Sequence, residues 1–223
     1  MGAFTGAADF FNKPLTDVAR SYGYSEDNIL ILEGNLKGLK ERFPDTYCNL
    51  LSCSYNADQR ALLGYARDLV ASWLIEDSFL LLFARCGFNA SLSGTDRSRK
   101  ILPHAWVSSS SDFTLTWNGQ TRKLELMNDY TGFWSRNHVL HLRNNKYQKL
   151  YQEGSLFLAV SIPTREFALY DFRSTPMARY IPSHPPYGGK PAYELSIPDD
   201  SLHPATSANL AQAVRLCFSA SQG

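Results

Sequence analysis

A chain of 223 residues is most economically one domain, long enough to bury a sizeable core without disulfide or metal staples. Its 44% hydrophobic and 19% charged residues are those of an ordinary globular protein, and a net charge of +1 excludes any global attraction to nucleic acid, so such affinity must come from local clusters. Cys48, Cys53, Cys86 and Cys217 show neither CxxC spacing nor a histidine partner pattern, which argues against zinc and for reduced thiols.

The N-terminus lacks a basic region followed by an apolar run, and no stretch approaches the roughly 18 apolar residues that cross a bilayer. The expectation is a soluble, cytoplasmic protein with no membrane partner. Residues 1–58 read as a helical accessory region that packs on the core or forms a dimer contact. Within it, Ser25-Glu26-Asp27 can cap a helix, and Leu36, Leu39 and Phe43 recur at helical spacing before Pro44 stops the run. A cap signal at Asn56-Ala57-Asp58 opens the longest helix, which closes at Arg85, Cys86 and Gly87. Leu62, Leu69, Trp73, Leu80 and Phe83 mark its buried stripe. Glu76 falls on that stripe, where a carboxylate is expensive unless it is paired or metal-bound. It is therefore a candidate ligand, or the partner of an arginine at the stripe's border. Phe88 to Leu92 reads as a short strand leading into a basic turn, where Arg97, Arg99 and Lys100 outnumber Asp96. Such a cluster can hold phosphates, although a solvated loop has the same composition.

Residues 111–127 read as two alternating strands joined by an Asn118-Gly119 turn, the strongest short-range hairpin signal. If Trp117 pairs with Gln120, then Phe113 faces Leu124 and Asp112 faces Glu125. Like charges so placed destabilise a sheet unless something compensates, and a bound cation would. One face carries Phe113, Leu115, Trp117, Leu124 and Leu126; the other carries Asp112, Thr114, Lys123 and Glu125.

Residues 128–138 form an aromatic-rich loop, and no acid occurs from Tyr130 to Gln152, while Arg136, Arg143, Lys146 and Lys149 are all basic. Basic side chains neutralise phosphates, and aromatics wedge between or stack on bases. Leu142 to Tyr151 is expected to be helical, with Tyr147, Leu150 and Tyr151 inward and Arg143 and Lys146 toward the site or solvent. Asn144 and Asn145 are types that read adenine edges, or cap the helix. Ser155 to Ile162 suits a central buried strand, and Glu166 to Phe172 another, joined by a tight turn at Pro163-Thr164-Arg165. Residues 173–205, rich in proline from Pro176 to Pro204, read as an irregular excursion whose Arg173, Arg179 and Lys190 can embrace a partner. A closing helix runs from Ser207 to Ser219. The whole reads as an α/β protein, a mixed central sheet flanked by helices in one domain: accessory region 1–58, core 59–172, irregular segment and closing helix 173–223.

An acid at the start of one strand and a second on the next, flanked by Leu124 and Leu126, resembles the PD-(D/E)xK nuclease superfamily of restriction endonucleases, Holliday-junction resolvases and related enzymes. The resemblance implies a restriction-endonuclease-like core in αβββαβ order behind an N-terminal helical extension. It also implies Mg²⁺ held by Asp112, Glu125, the Leu126 carbonyl and a third acid, Glu76 or secondarily Asp77. The activity implied is hydrolysis of phosphodiester bonds in double-stranded DNA, as in a type II restriction enzyme acting as a homodimer.

Two positions depart from the family pattern. Ser111 stands where proline is common, a minor change. Met127 stands where the family has the lysine that activates water. Lys123, on the strand face of Glu125, or Lys146, on a following segment, would have to supply the amine; otherwise the site is weakened, or Met127 is an inactivating substitution. The DNA contacts implied are Arg97, Arg99, Lys100, Arg136, Arg143, Asn144, Lys146 and Lys149. The alternatives are a structure-specific nuclease of the junction-resolving or repair kind, a DNA-binding protein that has lost catalysis, and a nonenzymatic interaction domain.

Overall fold

A computed structural model describes residues 13–52, 61–93, 98–101 and 111–219. These residues divide into two compact units, one holding 13–52, 61–79 and 98–101, the other 80–93 and 111–219. Among the described residues no helix is long and apolar enough to cross a membrane.

The first unit is helical. It contains α1 (Leu15–Ser21), α2 (Glu26–Glu33), α3 (Leu36–Arg42), α4 (Pro44–Leu51) and the first three-quarters of α5 (Leu62–Arg85). Ser25 stands at the N-cap of α2 as expected, and Gly34 ends that helix at φ 78°, a left-handed conformation that glycine adopts without strain. Pro44 does end α3, but it also starts α4, because proline at the first helical position lacks only an N–H that would be unbonded there anyway. The cap signal at residues 56–58 lies outside the described residues.

Glu76 and Asp77 on α5 are resolved by an arginine. Arg99 donates to Glu76 Oε2 at 2.7 Å and to Asp77 Oδ1 at 2.5 Å, and the Tyr24 hydroxyl also donates to Asp77. Burial alone would lower the Arg99 pKa, but the hydrogen bond to Asp77 and the charge of Glu76 outweigh it and hold it above its ordinary value. Burial and Asp77 together push the Tyr24 hydroxyl well up, so it stays a donor. The backbone of Arg99 has φ 50°, and its carbonyl accepts from Asn28 Nδ2 at 3.0 Å. A non-glycine residue persists in that conformation only where its surroundings over-determine it.

The second unit is built on a mixed sheet of β1 (Asn89–Leu92), β2 (Phe113–Trp117), β3 (Gln120–Asp129), β5 (Leu156–Ser161), β6 (Glu166–Asp171) and β9 (His203–Pro204), in that order. β3 and β5 are parallel, and the other neighbours are antiparallel. The β2–β3 register is the one the sequence implies: Trp117 pairs with Gln120 and Phe113 with Leu124. Asn118 and Gly119, at φ 48° and 76°, form the turn with two positive φ angles that matches strand twist. Parallel neighbours need a long crossover, and the one from β3 to β5 contains α6 (Phe133–Asn137), β4 (Val139–Arg143) and α7 (Asn144–Glu153). β5 is buried along its whole length, as a strand covered on both faces must be.

On one face lie Tyr147 and Leu150 of α7, clustered with Trp134, Leu140, Phe157 and Tyr193. On the other, Phe218 of α8 (Ser207–Ser219) meets Phe88 and Trp117, and Phe83 at the end of α5 meets Phe113. The alternation that makes this second face apolar also places Arg122 on it. That arginine is buried, donating to Asp171 at 2.7 Å and to the Gly154 carbonyl at 2.8 Å. Burial raises the Asp171 pKa and Arg122 opposes the rise. Nearby, burial and Asp171 push the Cys217 thiol up to about 11.

Two expectations fail here. Leu142 and Arg143 end strand β4 instead of starting the helix. Residues 173–205, read as irregular, supply β7 (Arg179–His184) and β8 (Lys190–Ser196), which join β4 in a second antiparallel sheet ordered β4-β8-β7. The prolines are tolerated because Pro182 sits on an edge strand beside a register shift and Pro191 lies just beyond the residues paired with β4. In this sheet Glu194 accepts from His141 at 3.2 Å and from Arg179 at 2.8 Å. Burial would raise the Glu194 pKa, but those two donors outweigh it and hold it down. His184 is buried against His141 and Tyr187, with ring centroids 4.3 and 4.7 Å apart. Burial first, and the His141 charge second, lower its pKa.

Replacing Arg99 by alanine strips two half-buried carboxylates of their common cation. The expected loss is about 2–3 kcal/mol in urea unfolding, below the full cost for a sealed pair because Glu76 and Asp77 keep 18% and 21% of their side-chain surface exposed. For His184, the folded state favours the neutral ring, so the unfolded chain binds the extra proton as pH drops below about 6.5. The stability His184 provides is thus present above that pH and lost below it. The thermal midpoint is expected to fall between about pH 7.5 and 5.5, and His184→Gln to make that fall smaller.

Candidate active site

The open end of the β2–β3 hairpin brings the two acids together. Asp112 is the residue before the paired ladder begins, and its backbone is tied to the neighbouring strand end, with Ser93 N–H donating to the Asp112 carbonyl at 2.9 Å. Its carboxylate reaches across to β3 and accepts the Leu126 N–H at 2.8 Å. Glu125 is the residue before that amide. Its carboxylate is nine-tenths buried and lies 2.5 Å from Lys146 Nζ. Because the N–H and C=O of one strand residue point the same way, the Leu126 carbonyl faces the same gap as Asp112.

Lys146 gets there because α7 packs on the face of β3 that carries Glu125. Asn144 and Asn145 occupy the first turn of α7, where neither caps the helix: the N-cap is Arg143, without a side-chain cap hydrogen bond, and Asn145 Oδ1 accepts the N–H of the next residue, Lys146, at 3.0 Å. From there Tyr147 and Leu150 turn into the core and Lys146 faces the carboxylate. Lys123, the other candidate amine, is half exposed and is drawn to Glu153 at 3.1 Å, at the far end of α7. Two ion pairs thus clamp α7 to β3, and only one involves the acids.

The remaining expectations divide. Glu76 and Arg99 belong to the helical unit, where they pair with each other, the arginine partnership that was one of the two readings of Glu76. Arg97 lies outside the described residues. Lys100, Arg136 and Arg143 are exposed, the last over the Tyr187 ring at 5.4 Å. Lys149 is 3.9 Å from Glu153.

Asp129, which sequence reasoning passed over, organises the aromatic loop: its carboxylate accepts from the backbone N–H groups of Thr131, Gly132 and Trp134 at 2.8, 2.9 and 3.2 Å. The Asp-x-Thr-Gly spacing, with glycine at φ 70°, is the signal that could have revealed it.

Among the described residues no group of three or more His, Cys, Asp or Glu side chains converges as a metal cluster. The donors that the hairpin itself supplies are two carboxylates and one carbonyl, a smaller set than one with a third acid. That smaller set still suits Mg²⁺, which keeps several waters and binds through one or two carboxylates. Comparison with protein-family models and with curated proteins gives no match.

The two candidate lysines differ in burial, and unfolding should separate them. Lys146→Met removes a largely buried ammonium beside Glu125 and is expected to cost about 2 kcal/mol in urea. Lys123→Met cuts a half-exposed pair and should change stability by less than about 1 kcal/mol.

Proposed function

We propose that the sheet-bearing unit is the catalytic body of a Mg²⁺-dependent DNA endonuclease of the PD-(D/E)xK kind, with Lys146 taking the place of the lysine that Met127 lacks. The observation that carries this reading is the 2.5 Å approach of Lys146 Nζ to Glu125, beside an Asp112 that reaches the amide of the next residue. The order of elements supports it. After the end of α5 come the antiparallel strands β1 to β3, then α6, β4 and α7, then β5 parallel to β3; the resemblance implies a helix, three strands, a helix and a strand, and α6 and β4 stand in addition to these.

In this reading Asp112, Glu125 and the Leu126 carbonyl hold the metal. When bound, Mg²⁺ lowers the pKa of a coordinated water and offsets charge on the scissile phosphate. Lys146 holds Glu125 in position, and its ammonium would orient the attacking water or the phosphate. The exposed Arg136 and Arg143 on the β3–β5 crossover would neutralise backbone phosphates of double-stranded DNA and set its position. A palindromic target would call for a twofold homodimer, as in a type II restriction enzyme, and such an enzyme would work in the cytoplasm.

A second reading, a DNA-binding protein without catalysis, is favoured by Met127 together with the engagement of Lys146 by Glu125.

Incubating the full chain with plasmid DNA and Mg²⁺ tests both. The nuclease reading expects cleavage that EDTA abolishes, falling at least about 100-fold in Asp112→Asn and in Lys146→Met. It also expects partial recovery when Met127→Lys is added to Lys146→Met. Duplex binding without cleavage favours the second reading, and preference for four-way junctions points to a resolvase.

A further inference from the structure

Two residues beyond Glu125 on β3, a pocket of about 460 Å³ opens against the crossover. Its lining begins at Met127 and continues through Tyr130, Phe133, His141, His184 and Tyr187. Tyr130 and Phe133 expose 45% and 49% of their surface and both line this one pocket. Behind them the rings form a run: Phe133 lies 6.5 Å from His141, His141 4.3 Å from His184, and His184 4.7 Å from Tyr187. The Asp129 carboxylate, also in the lining, is occupied in holding the loop that presents Tyr130 and Phe133.

Carboxylates stand nearby, Glu194 against His141 and Asp199 against His138, but the crossover itself is basic. No acid occurs between Tyr130 and Gln152, Arg136 is exposed, and the Arg143 guanidinium lies over the Tyr187 ring. Flat apolar walls with arginines around them suit a flat apolar-faced group attached to phosphates. We infer that this pocket receives one unstacked nucleobase of a DNA strand. The inference takes its polymer from the nuclease reading, but the base itself is argued from the pocket.

The chemistry of the lining also says how a base would be held. Trp134 Nε1 and His184 Nδ1 make no hydrogen bond, but both atoms are buried and closed to an occupant of the pocket as it stands. Stacking is therefore what the pocket offers directly, and stacking tolerates every base.

The test uses the full chain in EDTA, with labelled single-stranded oligonucleotides of equal length: four homopolymers, and one carrying abasic sites throughout. Fluorescence anisotropy is expected to show the homopolymers binding at least tenfold more tightly than the abasic strand, and within about threefold of one another. Phe133→Ala should bring the homopolymers down to the abasic affinity. Tyr180→Ala, which removes an exposed ring outside the pocket, should preserve the difference. Equal binding of base-bearing and abasic strands, binding of neither, or a difference that survives Phe133→Ala would overturn the inference.

Cleavage is read separately. A base-dependent difference without plasmid cutting removes the nuclease reading and leaves the pocket; plasmid cutting without that difference does the reverse. Asp112→Asn is expected to abolish cutting and leave the difference in place.

Discussion

Two carboxylates that cannot avoid each other set the terms for the sheet-bearing unit. The Asn118-Gly119 turn closes the hairpin in two residues, so Phe113 must meet Leu124, and Asp112, just before the ladder, reaches the amide of the residue after Glu125. Facing like charges destabilise a sheet. The protein answers with two unlike donors, the Leu126 amide for Asp112 and the Lys146 ammonium for Glu125. The ammonium is within reach because β5 runs parallel to β3. That pairing requires a crossover, and α7 is its last element before β5.

Cations placed against buried acids recur within each unit. Arg122 and Asp171 pair beneath the sheet, and Arg99 holds Glu76 and Asp77 among the helices. A guanidinium suits this work because its planar fork of donors meets a carboxylate with several hydrogen bonds at once. The chain's near-neutral charge therefore conceals two populations of arginine: those consumed internally, and those such as Arg136 that remain exposed on the crossover.

Met127 connects the proposed site with the neighbouring pocket. A lysine there would project an amine from the strand; methionine instead packs against the Tyr147 and Phe157 cluster and begins the aromatic wall. With an ammonium already set against Glu125 from α7, position 127 makes apolar contact instead. Asp129, next on the same face, holds the loop that carries Tyr130 and Phe133. Alternation along one strand thus sets an acid, an apolar wall and a loop anchor in succession.

Local signals in the sequence determined the hairpin and its register, the buried strands β5 and β6 and the closing helix, because turn residues and period-two patterns act over a few neighbours. They also offered Lys123 and Lys146 as the amines able to stand beside Glu125. Choosing Lys146 required the packing of α7 on β3, a contact between segments that no local pattern encodes. The second sheet was hidden because prolines that break a central strand are harmless on an edge or beside a register shift, and only pairing with β4 reveals which they are. Glu76 was ambiguous for a like reason: its position on a helix face made compensation necessary, but tertiary structure alone decided that the compensating cation is Arg99.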